Sequence, residues 1–152
     1  MWVGIVESVH IAPAATQPTR TVEEVKAIPG SGLEGDRYAL QQGTFSKPEP
    51  DFELTFIEVE AIEALKRDYG VELAAGHARR NIVTRGVPLN HLVGREFSVG
   101  PVRIRGIRLC EPCKHLESLV QRDVIKGLRH RGGLRAQILT AGVIRSGDQI
   151  SE

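Results

Sequence analysis

Apolar and polar positions along this chain change over in short blocks, and most of the blocks read as strands. "WVGIVESVHI" (Trp2 to Ile11) is rich in β-branched residues, and the proline-punctuated "APAATQPTR" after it predicts a loop. "VEEVKAI" (Val22 to Ile28), "FELTFI" (Phe52 to Ile57), "RNIVTRG" (Arg80 to Gly86) and "EFSVG" (Glu96 to Gly100) predict further strands. In "VRIRGIRL" (Val102 to Leu109) the period of two is explicit: Val102 and Ile104 alternate with Arg103 and Arg105, so one face of that strand is expected to be cationic. "LRAQIL" (Leu134 to Leu139) and "DQI" (Asp148 to Ile150) predict the last strands, around a connecting "TAGVIRSG".

One stretch has the helical period instead. Ile62, Leu65 and Tyr69 recur at helical spacing within Val59 to Tyr69, and Gly70 supplies a stop. "KHLESLVQRDVIKGL" (Lys114 to Leu128) is helical in tendency and predicts two short pieces. About seven short strands, one amphipathic helix and short helical turns predict a mainly β fold, a barrel rather than an alternating α/β sheet. Between the second and third strands, Pro29 to Asp51 is rich in glycine and proline and too long for an idle connection, so it is expected to serve function.

A chain of 152 residues predicts a single domain, residues 1–152, able to bury a core without metal or disulfide staples. No apolar run reaches bilayer-spanning length, and the N-terminus carries Glu7 among its apolar residues with no basic region ahead of them. These features predict a cytoplasmic protein without membrane attachment. The net charge of +1 conceals an uneven distribution. Residues 1–76 hold 13 acidic and 6 basic side chains, whereas residues 77–135 hold 4 and 13. Either the basic part meets an anionic partner, or the two parts pair across the fold. A nucleic-acid partner is not expected, because aromatic residues make up 5% of the chain and the basic strand carries none for stacking.

The two cysteines, Cys110 and Cys113, lie in the basic part within "RLCEPCKHLE". A thioredoxin-like redox pair would need a βαβ setting that this pattern lacks. A structural zinc site would need His115 and His130 as further ligands, a poor match to known spacings. A third reading is a single working thiolate. Pro112 fixes its own backbone angle and restricts Glu111, while nearby arginines and the start of a helical segment would lower the pKa of Cys113. Such a thiolate binds soft metals or carries sulfur as a persulfide. Cys110, ending an apolar strand, reads as a small buried hydrophobe.

Five motifs occur together in one order: "GLEGDRY" (Gly32 to Tyr38), "ARRNIVTRGVPLNHLVGREFSVGPVRIRG" (Ala78 to Gly106), "LCEPC" (Leu109 to Cys113), "HRGGLRAQIL" (His130 to Leu139) and "GDQI" (Gly147 to Ile150). Together they resemble the MOSC domain, named for the C-terminal domain of molybdenum cofactor sulfurase. The resemblance implies a β-barrel and a key cysteine, which by its place after the proline is Cys113. In some members of the family the equivalent cysteine ligates molybdenum in a pterin cofactor, and those enzymes reduce N-hydroxylated compounds with electrons from a partner protein. In the sulfurase it is thought to hand sulfur to that cofactor, which implies the alternative role here of a persulfide carrier served by a cysteine desulfurase.

The molybdenum cofactor (molybdopterin) is a phosphorylated dithiolene and therefore anionic, which would give the basic segment a purpose. Arg80 and Asn81 match the family's Arg-Asn and could hold phosphate or pterin. Arg37, with Gly35 and Asp36, could line the same pocket, and Arg131 beside Gly132 and Gly133 offers a bidentate donor next to a close backbone approach. The larger members carry an additional N-terminal barrel domain, and the expectation here is a short stand-alone form.

Overall fold

The computed structural model describes residues 1–14, 17–40, 49–110 and 124–152. Its strands are β1 (Gly4–Ile11), β2 (Arg20–Val22), β3 (Glu24–Ile28), β4 (Gly32–Leu33), β5 (Leu54–Glu58), β6 (Ile82–Arg85), β7 (Glu96–Val99), β8 (Val102–Leu109), β9 (Leu134–Ile138), β10 (Gly142–Arg145) and β11 (Gln149–Ser151). Seven of them close on themselves in the order β1, β6, β5, β9, β8, β7, β11 and back to β1, where Gly4 faces Ile150. The expected mainly β barrel is therefore present. Closure removes the unpaired edges that an open sheet would expose.

The barrel interior arises from the alternation. Val6, Leu54, Phe56, Ile82, Phe97, Ile104, Leu134, Ile138 and Ile150 point inward and are almost wholly buried. Phe56 and Phe97 meet edge to face with ring centroids 5.6 Å apart, the arrangement their quadrupoles favour. β1 keeps its apolar side inward by means of a bulge: its register against β6 shifts between Val6 and Ser8, so Val6 and Val9 both face the core although three positions apart.

The helix α1 (Val59–Tyr69) connects β5 to β6, and these two strands run parallel, so the barrel includes one strand–helix–strand crossover. Ile62 and Leu65 of α1 pack with Ile57, Leu73, Val83 and Leu128 into a second apolar cluster outside the barrel wall. Gly70 ends the helix at φ 66°, and its N–H turns back to the carbonyls of Leu65 and Lys66. No helix among the described residues is long and apolar enough to cross a membrane.

Four local differences from the pattern reading have physical reasons. Val22 to Ile28 is two strands: β2 pairs with β1, whereas β3 leaves at Glu23 to join β4 and β10 in a separate small sheet. The supposed connection "TAGVIRSG" contains β10, whose Ile144 is fully buried beside Val25 and Ala27. Its two apolar residues, Val143 and Ile144, are adjacent, so the strand carries no alternation to recognise in sequence. Phe52 lies in a 3-10 turn (Pro50–Phe52) rather than in a strand, because Pro50 sets the backbone for a turn at its start. The Pro29 to Asp51 stretch includes β4 and the start of that turn, and residues 41–48 lie outside the described residues.

Candidate functional site: an arginine corner against the barrel wall

Ala75–Ala78 forms a 3-10 turn that ends at Arg79, a non-glycine residue in the left-handed region at φ 60°. That single backbone angle separates two arginines adjacent in sequence. The Arg79 guanidinium donates outward to the carbonyl of Gln17 at 2.6 Å. Arg80 is instead buried, and its Nε donates to the Gly132 carbonyl at 2.7 Å while Nη2 donates to the Cys110 carbonyl at 3.3 Å. One guanidinium thus ties together three of the sequence motifs.

The turn it holds is fixed from several sides. The Cys110 N–H donates to the Gly133 carbonyl at 2.7 Å. Gly133 sits at φ 113°, and a Cβ there would stand 1.9 Å from the Phe56 carbonyl oxygen, so no other residue fits without displacing β5. Cys110 itself is 3% exposed, as expected of a core neighbour.

Asp36 and Arg37 complete the corner. Asp36 is fully buried; its Oδ1 accepts the Ala12 N–H at 3.0 Å and its Oδ2 accepts the Tyr38 N–H at 3.3 Å. Arg37 pairs with Asp36 at 3.2 Å and donates through Nη2 to the Arg79 carbonyl at 3.0 Å. Burial first, and then the like charge of Arg37, disfavours the charged form of Arg79, so cations are being gathered here against their own repulsion. The gathering extends along the outer side of β8 and β9, where Arg108 and Arg135 stand directly opposite each other. Arg135 lies 5.0 Å above the Phe52 ring and 6.0 Å from Tyr38, Arg108 lies 5.9 Å from Phe52, and Arg37 lies 4.7 Å from Tyr38. The two buried rings present their negative faces to these guanidinium groups.

Asn81 has a framing position. Its Oδ1 accepts from the Thr55 N–H and hydroxyl at 3.0 and 3.2 Å, and its Nδ2 donates to the His10 carbonyl at 3.2 Å, joining the starts of β5 and β6 to the end of β1. Arg131 is not brought into the corner. It lines a different cavity with Glu58, Asn90, His91 and His130. Cys113, Pro112 and His115 lie outside the described residues, and among the described residues no group of three or more His, Cys, Asp or Glu is placed to hold a metal ion.

The structure brings together Arg37, Arg80 and Gly132 from the sequence reading and adds Arg79, Arg108, Arg135, Tyr38 and Phe52. Strand alternation could have flagged Arg108 and Arg135, because both sit on strands next to the cysteine segment. Among the described residues, four other arginines of the basic segment pair with acidic residues: Arg103 and Arg105 with Glu96, Arg85 with Glu7 and Glu63, Arg95 with Glu152. Of these, the Arg85 pairs join the basic part to the acidic residues 1–76, whereas the Glu96 pairs lie within the basic part and Arg95 reaches the chain's last residue.

Comparison with known proteins agrees with this architecture. The chain superimposes on the YuaD protein from Bacillus subtilis with a TM-score of 0.78 at 16% identity, covering 99% of this chain and 97% of that one. YiiM from Geobacillus stearothermophilus gives 0.73 at 16% identity over 97% of this chain and 73% of that one. YiiM from Escherichia coli gives 0.66 at 17% identity over 99% and 69%. A search of the curated proteins finds no match. The family model described as the MOSC domain matches residues 35–151, which include Arg37, Arg80, Cys110 and the Gly132–Gly133 turn. The chain belongs to the MOSC domain family.

Proposed function

We propose that this protein works with the molybdenum cofactor, ligating molybdenum through the Cys113 thiolate and reducing N-hydroxylated compounds with electrons from a partner protein. The observation that carries the reading is the arginine corner: beside Arg79 and Arg37, Arg80 clamps the carbonyls of Gly132 and of Cys110, which precedes Cys113 by three residues. The corner suits an anionic phosphorylated ligand in its charge, and its guanidinium donors suit phosphate in their geometry. Arg37 and Arg79 would hold the anion, Arg80 and Gly132 would fix the chain beside it, and Asn81 would keep Arg80 in place from the barrel wall.

When bound, the cofactor supplies two-electron redox chemistry. Reduction of an N–O bond takes two electrons and two protons and releases water, so the protein's part is to hold the substrate, exclude competing solvent and deliver protons. The cationic surroundings would keep Cys113 as thiolate near neutral pH.

The test is elemental analysis of wild type and Cys113→Ser purified from cofactor-competent cells. Near-stoichiometric molybdenum in wild type, lost from Cys113→Ser and reduced in Arg79→Ala, is the expected result. Absence of molybdenum from folded wild-type protein would overturn the reading. A mass increase of ~32 Da on Cys113 in its place, one sulfur atom on the thiol, would assign it to persulfide transfer.

A further inference from the structure

The turn that Arg80 clamps also borders a second cavity, of about 300 Å³, which the molybdenum reading does not use. Its polar lining comes from separated stretches of chain: Glu58 at the end of β5, Asn90 and His91 after β6, and His130 and Arg131 ahead of β9. Among the described residues, the short apolar side chains Ala61 and Pro88 line the rest of it.

The backbone that presents His130 and Arg131 is constrained. His130 occupies the left-handed region at φ 63°, which a residue with a Cβ rarely adopts. Asn90 holds it there, donating through Nδ2 to the His130 carbonyl at 2.7 Å, and the Arg131 N–H donates to the Leu128 carbonyl at 2.8 Å. Two residues beyond His130, the Gly132 carbonyl is the one Arg80 clamps. The backbone beneath these two side chains is therefore fixed from the cavity rim by Asn90 and from outside the cavity by Leu128 and Arg80.

Glu58 supplies the opposite charge. It is half-buried and makes no direct ion pair among the described residues. Burial and then the nearby Glu60 push its carboxyl above the usual range, and Arg131 and His91 oppose that only in part. Glu60, on the first turn of α1, takes the Gly86 N–H on Oε2 at 2.8 Å, while its buried Oε1 has no partner among the described residues. Glu58 therefore brings to the cavity a carboxylate without a direct ion pair among the described residues, and Arg131 brings a guanidinium to the same small space, with the His91 and His130 side chains beside it. A ligand carrying one charge would satisfy half of this arrangement. A ligand with an ammonium and a carboxylate a few atoms apart would satisfy both halves, and the volume suits a molecule of amino-acid size.

We propose that this cavity binds a small zwitterion of the α-amino-acid class, its ammonium on Glu58 and its carboxylate on Arg131 beside the imidazoles of His91 and His130. The contacts proposed are those of Glu58 and Arg131, and the experiment reads binding rather than molybdenum content, so the inference stands or falls apart from the molybdenum reading.

The experiment is an amide chemical-shift titration of the full chain with glycine, L-alanine, L-serine and L-glutamine, alongside propanoate and ethylamine, which each retain one of alanine's two charges. Saturable shifts at Leu89, Asn90 and Arg131 are expected with at least one amino acid, and binding of propanoate or ethylamine is expected to be at least tenfold weaker. Glu58→Gln and Arg131→Gln are each expected to weaken the amino acid at least tenfold while the Phe97 and Ile150 signals keep their positions, reporting an intact barrel. No saturation with any of the four amino acids up to ~100 mM, well above a Kd of 1 mM at about 4 kcal/mol, would overturn the proposal. Equal binding of the single-charge compounds, or wild-type affinity in both variants, would overturn it as well.

Discussion

The barrel interior and the arginine corner are both buried, and they are held by opposite means. The interior is a run of interchangeable apolar contacts, each supplied by alternation along a strand, with Phe56 and Phe97 at its centre. In the corner each polar group has a named partner from a distant part of the chain: Asp36 with Ala12, Arg37 with Arg79, Arg80 with Cys110 and Gly132. The interior gains from hydrophobic burial wherever side chains of suitable volume meet. The corner gains little net energy from its hydrogen bonds, and loses much if one partner is removed, because the other is left buried and unpaired. A fold can therefore tolerate drift in its interior more readily than in such a corner, at equal burial.

The largest test of that contrast is a cavity in the interior. Phe56→Ala is expected to cost about 3 to 5 kcal/mol in urea unfolding, the range for deleting a buried aromatic ring. Phe56→Leu, which keeps most of the volume, is expected to recover the greater part. The matching change in the corner is Arg80→Met, which keeps the length of the side chain and removes its donors. Leaving the Gly132 and Cys110 carbonyls without a partner is expected to cost about 2 to 4 kcal/mol. Here the conservative swap should fail: Arg80→Lys keeps the charge, but a single ammonium cannot reproduce a planar fork across two carbonyls. Recovery by Lys equal to that by Leu at position 56 would show that charge alone, and no specific geometry, organises the corner.

This difference also explains what could be read from the sequence. The barrel was legible because alternation is local, as in β8, where Val102 and Ile104 face inward and Arg103 and Arg105 outward. It became illegible where alternation is missing, as in β10, or where one apparent strand serves two sheets, as at Glu23. The corner was legible only through the family's motifs, which pointed to Arg37, Arg80 and Gly132. Alternation could place Arg108 and Arg135 on one side of their strands but not beside Phe52 and Tyr38, which reach them from a distant part of the chain, and nothing local set Arg79 apart from a surface arginine. Arg131 was read from its neighbouring glycines as an anion donor, and its side chain lies apart from the corner, lining the cavity with Glu58. The left-handed angle at His130 redirects the chain into Arg131, and nothing in the local sequence announces that angle.

A smaller effect tests a polar residue buried on the outer side of β1. His10 is 3% exposed, with Nε2 2.7 Å from the Ser8 hydroxyl and Nδ1 3.1 Å from that of Thr21. Burial lowers its pKa below the usual 6.5. The native state then resists the proton that the unfolded chain accepts. Stability is full above pH 6.5 and falls as the pH drops from there toward the folded pKa, by up to about 1.4 kcal/mol per pH unit. The measurement is the difference in urea midpoint between pH 8 and pH 5.5, compared with His10→Gln so that carboxylates common to both proteins cancel. A pH response unchanged in His10→Gln would show that this histidine is not held neutral by the fold.

The smallest effect is expected where charges pair on the surface. Arg105 meets Glu96 at 2.6 Å between β8 and β7, with Arg103 at 3.8 Å from the same carboxylate, and all three side chains are well exposed. Water and salt screen such a pair, and ordering two long side chains offsets much of what remains. A double-mutant cycle with Glu96→Gln and Arg105→Gln should therefore show weak coupling at low salt and none distinguishable from error at high salt. The corner should behave differently in the same titration, because Arg80 is bonded to carbonyl oxygens out of reach of ions, and the cost of Arg80→Met should hardly change with salt. Strong salt dependence at Arg80 would place it in solvent and erase the contrast between the two kinds of arginine; salt independence at both sites would mean that screening does not separate them.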